Sequence, residues 1–339
     1  MLLLVPAVFV AHFAGLSPIL TFFISALAII PLAKYIGEAT DELAIRTGPA
    51  LGGLLNATFG NATELIIGII AIRSGLLEVV KASITGSIIG NLLLVLGTAM
   101  LAGGLQHKSQ VFNKTAALAS ASTLLLAVIA LVMPAIFVQT GASNPHIIEE
   151  LSVFVSIFLI IAYLAGLIFS LRTHKHLYTE EVGAFEARWS KTKSFSVLFL
   201  ATIFVGAVSE ILVGSIEPLV SQLGWTELFI GVIFVAIIGN AAEHTSAIVM
   251  AMKNKMDLAL QVSIGSATQI AMFVAPILVF ASVFMAKPMS LIFNTFELVA
   301  IVLSVFITNL IVEDGESNWL EGLQLLMAYA IMAVAFFFH

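Results

Sequence analysis

Apolar runs separated by short charged, Gly- or Pro-containing breaks follow one another along almost the whole chain. A helical span needs about 20 mostly apolar residues. At that length the breaks divide the chain into segments at 2–14, 17–37, 50–73, 82–105, 112–138, 147–171, 195–216, 227–252, 258–285, 289–312 and 319–338. The pattern predicts an all-α membrane protein of about 11 transmembrane helices. The first segment is shorter than a full span, yet no Lys or Arg precedes it as in a signal peptide, so it reads as an extra N-terminal helix.

Composition changes this picture mainly by exclusion. Of 339 residues 60% are apolar and 10% charged, with a mean hydropathy of +1.11, against roughly 25% charge in a soluble domain. No separate soluble domain fits between the spans. The net charge of −6 comes from few ionic residues, and no Lys/Arg cluster is dense enough to track phosphates, so the expected surroundings are a lipid bilayer and no nucleic acid. With no cysteine there is neither a disulfide nor a thiolate metal site. No H-E-x-x-H motif and no repeated Ser-His arrangement points to an enzyme or a catalytic cofactor.

Eleven spans place alternate loops on opposite sides. Lys34, Arg46, Lys108, Lys114, Arg172, Lys175, Arg188, Lys191, Lys193, Lys253 and Lys255 then share a side with the N-terminus, leaving Arg73, Lys81 and Lys287 on the other. That imbalance predicts a cytoplasmic N-terminus and an external C-terminus. The longest polar stretch, 172–194, becomes a cytoplasmic linker at mid-chain.

The two sides of that linker repeat each other. "GNATELIIGI" at 60–69 recurs as "GNAAEHTSAI" at 239–248, an offset of 179 that also pairs Gly52 with Gly231 and Gly86–Ser87 with Gly265–Ser266. One offset kept across a helix, a loop and the next helix reads as a duplication. The repeated helices are the third and eighth spans, and an odd separation means that they cross in opposite directions. The expected organisation is therefore 1–15 as the extra helix, 16–171 as one five-helix repeat, 172–194 as the linker and 195–339 as a second, inverted repeat. Inverted repeats are typical of secondary transporters, with the substrate site near the midplane where the repeats meet.

Glu64 and Glu243 lie inside long apolar stretches, where a charge costs at least about 2.5 to 3.5 kcal/mol. A lone acid bonded across a helix interface is the plain alternative, and two symmetric copies weaken it. On a helix Ala57, Gly60, Asn61, Glu64 and Gly68 share a face, and Ala236, Gly239, Asn240, Glu243 and Ala247 repeat it. Such a small, polar stripe suits close helix packing and also exposure of backbone carbonyls at a helix break. Ser87 and Ser266 each follow their glutamate by 23 residues, enough to return to mid-membrane depth on the next helix. Carboxylates, hydroxyls, Asn oxygens and backbone carbonyls make an all-oxygen shell of the kind Ca²⁺ takes, although each serine could equally bond its own helix backbone.

These residues resemble a known family. "GNATELII", "GNAAEH" and the two "GS" elements, with "GPALGGLLNATFGNATE" from Gly48 and "WTELFIGVIFVAIIGNAAEHTSAI" from Trp225, are similar to the paired signatures of the calcium/proton exchanger (CAX) family of the cation/calcium exchanger superfamily. The resemblance implies antiport of Ca²⁺ for H⁺, with Glu64 and Glu243 as cation and proton carriers helped by Asn61, Asn240, Ser87, Ser266 and Gln269. Two ionised glutamates balance one Ca²⁺, whereas an empty doubly negative site is strongly unfavourable and is relieved by protons. Occupancy by one then excludes the other. Asn91 follows Ser87 by four residues, but the symmetric position is Ile270.

His244 points about 100° from Glu243 on an ideal helix, which leaves it as a proton relay, a gate or a packing histidine. The outer acids Glu78, Glu149, Glu150 and Glu217 are either a cation-concentrating rim or ordinary solvated ends. The linker acids Glu180, Glu181 and Glu186 are mixed with Arg188, Lys191 and Lys193, so a regulatory loop and a plain linker both stand. Sodium- or potassium-coupled exchange on the same fold is the nearest rival, and the absence of "GTS-x-PE"-like motifs favours protons. A cation channel is a more distant one. The expected location is a plasma membrane, and a homo-oligomer stays open.

Overall fold

The computed structural model describes residues 2–47, 49–141, 144–177 and 187–339. Among them the chain is almost entirely helical, as apolar sequence without water to satisfy its backbone requires. The helices are α1 (Leu4–Phe13), α2 (Pro18–Thr47), α3 (Pro49–Phe59), α4 (Ala62–Ser74), α5 (Leu77–Gly104), α6 (Lys114–Gln139), α7 (Pro145–Thr173), α8 (Lys191–Leu223), α9 (Glu227–Gly239), α10 (Ala241–Met252), α11 (Met256–Phe284), α12 (Thr295–Ile311) and α13 (Trp319–Phe338). Seven of them, α2, α5, α6, α7, α8, α11 and α13, are long and apolar enough to cross a membrane, and the bent pair α9–α10 makes an eighth if it is one span.

Several boundaries differ from the hydropathy reading. Helix α2 runs ten residues past Gly37, because Glu38, Asp41 and Glu42 end an apolar run without ending a helix; Lys34 and Glu38 pair one turn apart at 3.7 Å. Helix α12 starts at Thr295 rather than 289, where Asn294 and Glu297 close a capping box, Asn294 Oδ1 accepting from the Glu297 N–H at 2.8 Å and Glu297 Oε2 from the Asn294 N–H at 3.0 Å. The predicted continuous segments 50–73 and 227–252 are each broken, at Asn61 and at Asn240.

The interior is built on α5 and α11. The apolar window of α5 is the most buried of any candidate span, whereas α7 and α13 turn most of theirs outward, so the latter form the lipid-facing wall. Small residues bring the two sequence halves into backbone contact at the centre: a Cβ on Gly86 of α5 would sit 2.1 Å from the Val232 carbonyl oxygen of α9, and one on Gly231 2.5 Å from Ala82 Cβ. Helix α2 packs along α8, and its far end holds the returning linker, with Arg46 donating to the carbonyls of Ala187 and Trp189 and Glu42 Oε2 accepting from the Trp189 N–H. The linker acids Glu180, Glu181 and Glu186 lie outside the described residues. A two-residue ladder, Gln110–Val111 against Glu316–Ser317, ties the loop after α5 to the loop before α13.

Candidate functional site

The two helix breaks carry the repeated motif. Asn61 (φ −99°, ψ 21°) and Asn240 (φ −92°, ψ 13°) adopt the same sparsely populated backbone conformation. Each lends its carbonyl to start the following helix, Leu65 N–H bonding Asn61 O at 3.1 Å and His244 N–H bonding Asn240 O at 3.2 Å. Glu64 and Glu243 therefore fall in the first turns of α4 and α10, where the unpaired N–H groups and the helix dipole favour negative charge. The glutamates thus stand at points inside these apolar segments where backbone partly offsets the cost of a buried carboxylate.

Side-chain hydrogen bonds knit the four motifs across the halves. Asn240 Nδ2 donates to Ser87 Oγ at 2.8 Å, and Asn91 Nδ2 donates to Asn240 Oδ1 at 2.9 Å and to Ser266 Oγ at 3.2 Å. Asn61 Nδ2 donates to Gln269 Oε1 at 2.6 Å. Asn91 belongs to α5 and bonds the break of the second half; Gln269 belongs to α11 and bonds the break of the first. Asn91 lies within the widened π-helical turn Gly90–Val95 and Gln269 immediately before Ile270–Val274, a distortion that redirects side chains and is frequent at functional sites.

Within this network oxygen atoms stand unused. Both carboxylate oxygens of Glu64, Oε2 of Glu243 and Oδ1 of Asn91 are buried and accept no hydrogen bond, an arrangement that is costly unless a cation or proton engages them. Glu64 packs against the opposite half, its Cγ 3.0 Å from where a Cβ on Gly239 would lie. It shares with Ser83 and Ser87 a cavity of about 10 Å³ walled by Ile67, Ile84, Val235, Ile270, Val274 and Leu278. Among the described residues no three His, Asp or Glu side chains gather as a metal site, so a cation here would be held by glutamates and neutral oxygens.

The structure thus draws Asn61 with Gln269, and Ser87 with Asn91, Asn240 and Ser266, into two hydrogen-bonded groups, with Glu64 beside Ser87. His244 lies partly buried in the first turn of α10 and takes part in neither group. Asn91, the residue that symmetry left unsupported, is fully buried and holds the centre of the larger group. Of the outer acids, Glu78 pairs with Lys81 at 2.6 Å; the exposed pair Arg73–Glu210, at 2.5 Å, ties α4 to α8.

Residues 17–172 and 193–338, on either side of the linker, match the family described as sodium/calcium exchanger protein. A Ca²⁺/H⁺ antiporter of Aphanothece halophytica is 49% identical over 358 aligned residues, spanning 100% of this chain and 95% of that protein. The Ca²⁺/H⁺ antiporter ChaA of Bacillus subtilis is 50% identical over 324 residues, 93% of this chain and 91% of its own. The solved structure of native YfkE has 44% identity and a TM-score of 0.88, with 99% of this chain and 97% of that chain covered.

Proposed function

From the premise that this chain belongs to the sodium/calcium exchanger protein family, we propose that it is a Ca²⁺/H⁺ antiporter whose cation site is formed by Glu64 and Glu243 with Asn61, Asn240, Ser87, Ser266, Asn91 and Gln269. The observation that carries this reading is the hydrogen-bonded group in which Asn240 of one half holds Ser87 of the other, beside a glutamate whose two oxygens have no partner. Relatives named for this activity, near half identical across almost the full chain, support the choice of ions.

The chain acts as two inverted five-helix repeats, 16–171 and 195–339, joined by the linker 172–194, with α1 outside the repeat. Each broken pair, α3–α4 and α9–α10, is one span, which makes eleven. The N-terminus faces the cytoplasm of a plasma membrane, and the central linker serves as a connection.

Two glutamate charges match one Ca²⁺. The amide and hydroxyl oxygens supply part of the six to eight ligands that this ion takes at about 2.3 to 2.6 Å. When Ca²⁺ leaves, the buried carboxylates keep no compensating charge, and protons neutralise them. Exchange is obligatory because the doubly charged empty site is the one state the low-dielectric interior disfavours. His244 lies one residue from Glu243 and serves proton transfer to it.

Reconstituted vesicles test the coupling. An imposed pH gradient alone is expected to drive ⁴⁵Ca²⁺ uptake that sodium or potassium gradients do not. Uptake that follows a sodium or potassium gradient and ignores pH would replace this reading with the sodium- or potassium-coupled one.

A further inference from the structure

A second and larger cavity, about 390 Å³, lies between α6, α7 and α11 and reaches Gln269. We infer that this crevice is a water-filled path by which protons reach the Glu64 half of the site, separate from the route taken by the divalent cation; the inference rests on the antiport reading above.

Its volume is far beyond the roughly 10 to 15 Å³ that one water needs, and hydroxyls from all three helices face it. Thr123 and Thr268 donate to their own helix carbonyls, Ala119 O at 2.9 Å and Ile264 O at 2.8 Å, which leaves their oxygens as acceptors toward the cavity. Tyr163 also lines it. That side chain is 6% exposed, yet its hydroxyl has no hydrogen-bond partner.

Position agrees with access. The crevice residues of α6 lie near its Lys114 end and those of α7 near its Thr173 end, so the opening is at one end of the bundle. Gln269 is the deepest residue along α11, about 20 Å from Met256 at a rise of about 1.5 Å per residue. From there the Asn61–Gln269 bond leads to the start of α4 and so to Glu64. Among the described residues no charged side chain lines the crevice. A divalent cation shedding water would meet no counter-charge there, whereas a proton moves along waters and hydroxyls without one.

Two glycines keep the crevice open. A Cβ on Gly166 or on Gly265 would meet nothing within 4 Å. Close packing therefore does not call for glycine at either position, although each costs its helix up to about 1 kcal/mol relative to alanine. A larger side chain there starts from an unobstructed Cβ and extends toward the path.

The test is to plug it. Gly166→Leu and Gly265→Leu proteins, reconstituted in vesicles, should lose at least tenfold in pH-driven Ca²⁺ uptake while keeping Ca²⁺/Ca²⁺ tracer exchange, which needs no proton. Thr268→Cys, in a chain with no cysteine of its own, should react with a membrane-impermeant cationic thiol reagent from one side only and then show the same selective loss. Wild-type proton coupling in both plugged variants would overturn the inference, and so would equal loss of both exchange modes in the modified cysteine variant. Absence of pH-driven uptake in the unmodified protein would instead sink the antiport reading itself.

Discussion

Gly86–Ser87 on α5 and Gly265–Ser266 on α11 have the same sequence, at the same offset as the two glutamate motifs, but not the same surroundings. Gly86 is pressed against the backbone of α9, where a Cβ would lie 2.1 Å from a carbonyl oxygen, while Gly265 has nothing within 4 Å and faces the crevice. The neighbouring amides divide in the same way: Asn91 is fully buried between Asn240 and Ser266, whereas Gln269 is half-buried and borders the crevice. The repeated motifs supply one chemistry twice. Packing then sealed one copy and left the other open to one end of the bundle. Alternating access requires such a difference, because two equally open halves would make a pore.

Substitutions at matched positions break or sharpen that contrast. Gly86→Ala forces a methyl into the Val232 carbonyl and is expected to cost about 3 kcal/mol or more in stability. Gly265→Ala should be neutral, or stabilising by up to about 1 kcal/mol. Melting of the two variants in detergent compares them directly, and equal melting temperatures would remove the asymmetry.

Asn91→Ala removes the donor shared by Asn240 and Ser266 and leaves Asn240 Oδ1 and Ser266 Oγ only a long 3.4 Å bond to each other, at about 1 to 3 kcal/mol in a dry interior, which corresponds to roughly a ten- to hundredfold weaker half-saturation for Ca²⁺. Gln269→Ala, whose place water can take, should weaken it only about fivefold, a cost near the lower end of the same range. Half-saturation curves of ⁴⁵Ca²⁺ uptake distinguish the two, and a larger effect at Gln269 would reverse the assignment of sealed and open sides. Gly239→Ala brings a methyl to 3.0 Å from Glu64 Cγ, which the flexible side chain accommodates by shifting. The expected loss in turnover is severalfold, and an unchanged rate would show that Glu64 does not need its present position.

Much of this was legible in the sequence, because the membrane imposes few rules and enforces them strictly. Span length located the helices, and the price of a buried acid singled out Glu64 and Glu243. Three features were hidden. The small polar stripe allowed for a helix break without placing it, because a Gly-Asn pair interrupts a helix at Asn61 and at Asn240 without interrupting hydropathy. Asn91 escaped the symmetry argument because its counterpart is Ile270; the working partner in the other half is Gln269, one position earlier, beside a π-turn that the sequence does not announce. The crevice was invisible as well, since a glycine that packs tightly and one that keeps space open look alike in sequence, as Gly86 and Gly265 demonstrate.

Simultaneous recording of Ca²⁺ uptake and proton release in vesicles carrying Glu64→Gln or Glu243→Gln protein tests the pairing of the two halves most directly. Each variant alone should lose both fluxes at least a hundredfold while folding as the unmodified protein does. Coupled exchange at the unmodified rate in either variant would contradict the account.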